Sequence, residues 1–373
     1  MRVAFLGAFD PSYPRTRVLQ EGLLAHGATP RLLPVSSRPV AREAGLLGAA
    51  ARAGDADAWI VPSFGHRDVP LLAPLARAMK VPLLFDPLVS RWDTQVRDLG
   101  RVRPRSLAAA RLRASDGLAM RLADLVLCDT WEHGELFADA FGVPRSKLAR
   151  VPVGADRAAF ALGESRAAGV TRRAAVPEGD ARPLHVVYVG GFLPLHGVEI
   201  VIRAAALLES RRGPGFARFT LVGGGMTAHR ADRDTASLGL RSVRHVPRVP
   251  YARALEMLAE GDVALGIFGT TEKAARVVPH KVYQPLAMGL PVVTRRSPAV
   301  LEIFSGEPAP AMMLIPPGNA EALADALQAM AEDVASRDAL AAAGRAAALR
   351  VATPERVGAA LLEAIARVCA ARR

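Results

Sequence analysis

Short apolar runs alternate with longer amphipathic segments along this chain, the pattern of parallel strands joined by helices. In the first half, residues 2–6, 58–61, 82–85 and 125–128 read as buried strands. Helices are expected around Val18, Leu19, Leu23 and Leu24, with Gly27 as the stop, and at 69–79 and 131–141. The opening then recurs: a strand at 185–189, a loop at Gly190 and Gly191, and a helix at 197–208. Strands at 219–222, 243–246, 263–267, 292–293 and 312–315 follow, with helices at 320–330, 337–350 and 354–370. Alternation of this kind predicts an α/β protein of two Rossmann-like domains, 1–165 and 183–352. Residues 166–182, rich in Gly, Arg and Ala without apolar periodicity, read as the linker between them.

The stretch 263–294, VALGIFGTTEKAARVVPHKVYQPLAMGLPVVT, carries the clearest chemistry. A strand ends in glycines and opens into a polar loop with Thr270, Thr271, Glu272, Lys273 and Arg276. Pro279 then suits the first turn of a helix through His280, Lys281, Val282 and Gln284 to a stop at Gly289. A helix N-terminus at the carboxyl edge of a parallel sheet presents free N–H groups and partial positive charge, which favour phosphate, and Lys281 adds a full charge. The plainer reading is a solvated first turn. Gly223, Gly224 and Gly225 form a second glycine turn at a strand end, where bare backbone can approach a ligand.

In the first domain, Gly7 opens the loop GAFDPSYPRTR, with Tyr13, Arg15 and Arg17 expected to face the carboxyl edge. The loops SFGHRDVP and FDPLVSRWDT place His66, Asp68, Asp86, Arg91, Trp92 and Asp93 at the same edge. Neither domain opens with Gly-x-Gly-x-x-Gly, which argues against a nicotinamide oxidoreductase.

Composition adds constraints. The 373 residues are 51% hydrophobic, enough for a sizeable core, and Lys+Arg 48 against Asp+Glu 36 gives a formal +12. Such a balance favours anionic partners, although an Arg- and Ala-rich coding bias would raise the charge without function. Cys128 and Cys369 stand far apart without metal-ligand spacing, so a reduced, cytoplasmic protein is expected. No run is long and apolar enough for a membrane span, and Asp10 comes too soon for a secretory leader. The basic stretch 97–121 interleaves Arg with Leu107, Leu112, Leu118 and Met120. It suits either peripheral contact with an anionic membrane or a solvated helix face. The Asp232-Arg233-Asp234 run, in an expected loop, reads as solvated rather than metal-binding, and no metal site is expected elsewhere.

The run PHKVYQPLAMGLPVV resembles the donor-sugar segment of retaining glycosyltransferases of the GT-B fold, family 4. Lys281, Ala287, Gly289, Pro291, Val292 and Val293 match, and Gln284 stands where that family has a ribose-binding Glu. The partner Glu eight positions earlier is replaced by Arg276, so the Lys-type variant of the motif is the closer match. The loops YPRTRV, FGHRDVP, FDPLVSRWDT and PVGAD resemble one subgroup of the same family, with weaker support from GFLPLHG and LVGGG. The resemblance implies two Rossmann-like domains with a cleft between them, the first for the acceptor and the second for a nucleotide-diphosphate sugar. It also implies a terminal helix, 353–371, packed back on the first domain. The reaction implied is metal-independent glycosyl transfer with retention and without a cofactor. Positioning and diphosphate stabilisation would then supply the rate enhancement, with no side-chain nucleophile.

On this resemblance Gly190, Gly191, His196, Gly223, Gly224, Lys273, His280, Lys281, Val282 and Gln284 fall on the donor side. Gly7, Tyr13, His66 and Asp86 fall on the acceptor side, and Arg15, Arg17 and Lys281 are the candidates for the reacting centre. The partners implied are the donor and a sugar, lipid-linked or small-molecule acceptor, with no nucleic acid. Two departures matter: the family cation after the first loop glycine is Gly191 here, and another is His196. Lys273, Arg276 and Lys281 are the candidates to compensate. A non-catalytic nucleotide-sugar-binding or scaffold protein and a nucleotide-sugar epimerase remain as alternatives.

Overall fold

The structure is a computed structural model and describes residues 1–168, 182–306 and 309–371. The described chain divides into two units, Met1–Asp156 with Thr353–Arg373, and Arg157–Ala352. The division falls at Asp156, ahead of the boundary read at 165, because the helix Arg157–Ala167 packs with the second unit. Most of the expected linker, 169–181, lies outside the described residues.

Each unit is built on a six-stranded parallel sheet. In the first, β1 (Arg2–Gly7), β2 (Thr29–Pro34), β3 (Ala58–Val61), β4 (Leu83–Phe85), β5 (Leu125–Cys128) and β6 (Leu148–Arg150) lie in the order β2-β1-β3-β4-β5-β6. In the second, β7 (Leu184–Gly191), β8 (Ala217–Gly224), β9 (Val243–Val246), β10 (Val263–Leu265), β11 (Val292–Arg295) and β12 (Met313–Ile315) lie in the order β12-β11-β10-β7-β8-β9. Central strands such as β3 and β5 are buried at every residue, as a sheet covered on both faces requires.

Opposite faces of the first sheet feed two apolar clusters. Leu6, Trp59, Val61 and Phe85 pack with Leu46, Leu72 and Phe137 on one side. Val3, Phe5, Ile60 and Leu84 pack with Val18, Leu19 and Leu23 on the other, together with Val357, Leu361 and Ile365 of the terminal helix Pro354–Ala371. That helix lies against Pro14–Ala25 at a glycine contact: a Cβ on Gly22 would come within 2.7 Å of the Gly358 Cα. Leu24, read as part of the apolar side, is 60% exposed, since Gly22 and Leu23 already occupy the contact.

Three expected boundaries change. The first helix starts at Pro14, so Arg15 and Arg17 sit in its opening turns and not in the preceding loop. Glu272–Arg276, read as loop, is a short helix whose N-cap Thr271 accepts from the Ala274 N–H. Asp232 and Asp234, also read as loop, lie in the helix Ala228–Ser237. Ala231 is its one buried residue, so no apolar stripe announced it. Asp232 accepts from His245 Nδ1 at 2.7 Å, and Asp234 is 3.7 Å from Arg230.

Candidate functional site

The carboxyl edge of the second sheet is where bare backbone, a helix N-terminus and buried cations meet. β7 and β8 run in register to their ends, Gly190 opposite Gly223 and Gly191 opposite Gly224. Gly190 (φ +149°) and Gly223 (φ +142°) need glycine for their conformation, and a side chain on Gly223 would overlap the Gly190 carbonyl. Around Gly224 a side chain would meet nothing, so this part of the edge is open.

Lys281 enters from the first turn of the helix His280–Ala287, which Pro279 precedes without a side-chain cap. Its amine lies where a Cβ on Gly190 would be, 2.5 Å from that position. It donates to the Tyr188 Oη at 2.6 Å, and Tyr188 donates to the Gly191 carbonyl at 2.6 Å. His196 Nδ1 donates to the same carbonyl. Burial pushes the Lys281 amine well below the usual lysine range and the Tyr188 phenol well above its own. Burial, reinforced by the charge of Lys281, likewise holds His196 well below its usual range. Because a carbonyl can only accept, His196 serves here as an Nδ1–H donor that shapes the Gly191 loop.

Lys273 is buried on its short helix, and its charge also bears on His196. Arg276 pairs with Glu272 at 3.2 Å along the same helix. Gln284 is buried and donates through Nε2 to the Tyr251 Oη at 2.7 Å. His280 is half-buried at the head of its helix, whereas the Val282 side chain is fully buried beside Gly266.

Tyr188, Tyr251 and Arg295 were not foreseen as part of this edge. Tyr188 looks like any apolar strand residue until the structure brings Lys281 to it. Arg295 is buried at the end of β11, donates to the Gly269 carbonyl at 2.5 Å, and is pushed below the usual arginine range by burial. Chemically, this edge offers backbone N–H groups and two buried lysines to an anionic group, and an amide to hydroxyls.

In the first unit the expected residues do gather at the carboxyl edge, but several face inward. Gly7 (φ +145°) leaves room for Asp68, which accepts from the Ala8 N–H at 3.0 Å. Arg15 is fully buried: it pairs with Asp86 at 3.0 Å and donates to the Val151 and Pro152 carbonyls. Arg17 reaches Asp156 at 3.5 Å. His66 is fully buried, edge-on to Phe85 at 5.0 Å and 3.9 Å from Asp116. Tyr13 meets Phe64 edge-on at 5.5 Å, and its hydroxyl is pushed up to about 12 by burial and then by Asp86.

Residues 183–333 match the family described as Glycosyl transferases group 1. Two curated D-inositol 3-phosphate glycosyltransferases, from Nocardia farcinica and Acidothermus cellulolyticus, are each 29% identical to this chain, over 148 and 152 residues. Both matches cover 38% of this chain and about a third of the relatives' length, 32% and 33%. Among solved structures, Anabaena HepE in complex with UDP-glucose aligns with a TM-score of 0.71 at 16% identity, covering 98% of this chain and 99% of that one. Sucrose-phosphate synthase from Thermosynechococcus elongatus aligns with a TM-score of 0.71 at 16% identity, covering 99% of both. The chain therefore has the GT-B fold, and its residues 183–333 are similar to the Glycosyl transferases group 1 family.

Proposed function

We propose that this protein transfers a sugar from a nucleotide-diphosphate donor to an acceptor hydroxyl, with retention at the anomeric carbon. The observation that carries the reading is Lys281, a buried amine laid across Gly190 at a bare strand end. A cation held out of water gains most from a phosphate. Gly190, Gly191, Gly223 and Gly224 give the diphosphate a close approach to backbone. Lys273 and Lys281 neutralise it without a metal ion or a separate cofactor, and Gln284 meets the ribose. The leaving diphosphate would receive the acceptor proton on the same face, so the protein contributes position and charge stabilisation. The first unit would take the acceptor, a sugar, a lipid-linked sugar or another small molecule. The UDP-glucose complex of Anabaena HepE makes UDP-sugars the first donors to try.

Action in the cytoplasm is proposed with it, including peripheral contact with an anionic membrane surface. Among the described residues no helix is long and apolar enough to cross a membrane. Contact through the basic stretch is supported by Leu107 and Leu118, 67% and 46% exposed beside exposed Arg103, Arg105 and Arg111. Part of that stretch serves the fold instead: Arg113 and Arg121 donate to the Ala140 and Phe141 carbonyls.

A second reading is favoured by Gly191 and His196, which leave the diphosphate fewer cations than the family pattern: a nucleotide-sugar-binding protein without turnover. A thermal-shift screen against UDP-, GDP-, ADP- and TDP-sugars identifies the donor. Labelled donor incubated with acceptors then separates the readings. Transfer to an acceptor supports the enzyme, isomerisation of donor alone supports an epimerase, and binding without either supports the second reading.

A further inference from the structure

We infer that the second unit binds a polyphosphate anion at the amino edge of its sheet, in a cavity where Arg337 and Arg345 hold it. This site is separate from the donor edge and does not depend on the proposed transfer.

The strands of the second sheet begin at this edge. Leu184 opens β7, while Phe216, Asp262 and Pro291 directly precede β8, β10 and β11, and all four line one cavity of about 1100 Å³. Leu184 and Gly190 lie six residues apart on β7, which puts the cavity about 20 Å from the glycines proposed to hold the donor. Two helices wall it, and every lining residue belongs to the second unit. On the helix Val334–Val351, Arg337, Ala341 and Arg345 recur at every fourth position, so they share one face, and all three line the cavity. The helix Arg157–Ala167 supplies Gly163 and Arg166. A Cβ on Gly163 would overlap the Ala287 carbonyl and the Arg345 guanidinium, so glycine is what lets these elements meet. Small lining residues such as Gly261, Gly289 and Ala341 leave room between the walls.

The cavity is cationic, and its charge is only partly matched. Among the described residues, Arg166, Arg182, Arg212, Arg337 and Arg345 line it against Asp262 and Asp338. Asp262 is already engaged: Arg182 meets it through both Nη atoms at 2.7 Å, and the His185 N–H donates to it at 2.8 Å. Arg212 pairs with Glu332 and lies over the Phe216 ring, 4.5 Å from its centroid. Arg337 and Arg345, both half-buried, have no such carboxylate. Each donates through Nη1 to a carbonyl, that of Met330 at 3.1 Å and that of Ala287, and makes no ion pair or further hydrogen bond to another described residue. A carbonyl orients a guanidinium without neutralising it, so each keeps its charge and the rest of its fork for a ligand. Eight residues of helix set the two about 12 Å apart along the axis. A chain of phosphates, with oxygens along its length, can engage both forks, whereas a single phosphate meets one.

The test is calorimetric titration of the full chain, in magnesium-free buffer, with inorganic phosphate, pyrophosphate, tripolyphosphate, ATP and citrate. Wild type is compared with Arg337→Met, Arg345→Met, Lys281→Met and Arg211→Met, the last an exposed arginine that does not line the cavity. Affinity should rise from phosphate through pyrophosphate to tripolyphosphate. Arg337→Met and Arg345→Met should each weaken tripolyphosphate at least about 10-fold, the loss of one charge-assisted contact, whereas Lys281→Met and Arg211→Met should not. Arg345→Met uncaps the Ala287 carbonyl, so thermal melts accompany the titrations, and Arg337→Met carries the test if that variant does not fold. ATP bound more tightly than tripolyphosphate assigns a nucleotide as the ligand, and ATP bound equally or more weakly assigns the bare chain. Citrate bound as tightly as tripolyphosphate overturns the assignment to phosphate. Tripolyphosphate binding lost in Lys281→Met but kept in the cavity variants belongs to the donor edge, and an equal loss in Arg211→Met belongs to net charge. Either result, or no binding by wild type, overturns the site.

Discussion

The amine of Lys281 lies 2.6 Å from the phenol oxygen of Tyr188, and both groups are buried. Tyr188 already spends its proton on the Gly191 carbonyl, so it serves Lys281 only as an acceptor and does not neutralise its charge. A lysine without a carboxylate partner in such a place costs stability, and its depressed pKa is the measure of that cost.

Replacing the amine should therefore stabilise the free protein. In Lys281→Met the phenol keeps its bond to Gly191, an apolar side chain fills the space, and stability at neutral pH should rise by about 1–3 kcal/mol. The sign follows from linkage. The folded-state pKa of Lys281 lies below the unfolded value, so between the two the unfolded chain binds the extra proton. Stability then rises with pH across that window. Thermal melts of both proteins against pH check it: the gap between them should narrow as pH rises toward the unfolded lysine value.

Donor binding should take up a proton. With a diphosphate beside it the Lys281 pKa rises, so affinity is greatest below the free-state value and falls as pH climbs through the window between free and bound values. Calorimetry in PIPES and in Tris, whose ionisation enthalpies differ, should give different apparent binding enthalpies for wild type. The two buffers should agree for Lys281→Met wherever its binding remains measurable.

Arg15 is a structural cation in this fold. Its guanidinium satisfies Asp86 and two carbonyls, all buried, and Arg15→Leu leaves that carboxylate unpaired. Denaturant unfolding should show a loss of about 3–5 kcal/mol. Nucleotide-sugar affinity should not change in the fraction that remains folded, because the residues proposed to hold the donor belong to the second unit. A variant of normal stability that has lost only acceptor turnover would return Arg15 to the reacting centre.

Gln284 gives a test with two opposed terms. Its Nε2 donates to Tyr251, which leaves the amide oxygen for a ribose hydroxyl. In Gln284→Glu the Tyr251 hydroxyl can donate to the carboxylate instead, and charge-assisted bonds to ribose are about twice as strong as neutral ones. Repulsion from the diphosphate acts over a longer range and weakens binding. The short-range bonds should win, so calorimetry should show modestly tighter binding in the Glu variant. Weaker binding would mean that phosphate repulsion dominates, and equal binding that Gln284 does not touch the ribose.

The sequence made the central strands legible because they are continuous apolar runs, and it marked the strand ends by their glycines and Lys281 by its place after Pro279. β2 was missed because Pro30, Arg31 and Pro34 deny it a strand signature. An edge strand tolerates them, since one side of its ladder is free. The inward turn of Arg15 depends on Asp86 and on carbonyls more than a hundred residues along the chain, a relation no local pattern carries. Tyr188 and Lys281 are 93 residues apart, and only the pairing of β7 with β10 and the packing of the helix His280–Ala287 bring them together.

Donor binding at Lys281 is tested most directly by titrating wild type and Lys281→Met with the nucleotide sugar that gives the largest thermal shift, beginning with UDP-glucose. Wild type should bind it saturably. In the variant, which should melt no lower, binding should weaken by roughly 10- to 100-fold, the worth of about 1.5–3 kcal/mol for a hydrogen bond to a charged group. Equal affinity in the two proteins, or no nucleotide sugar bound by wild type, would contradict it.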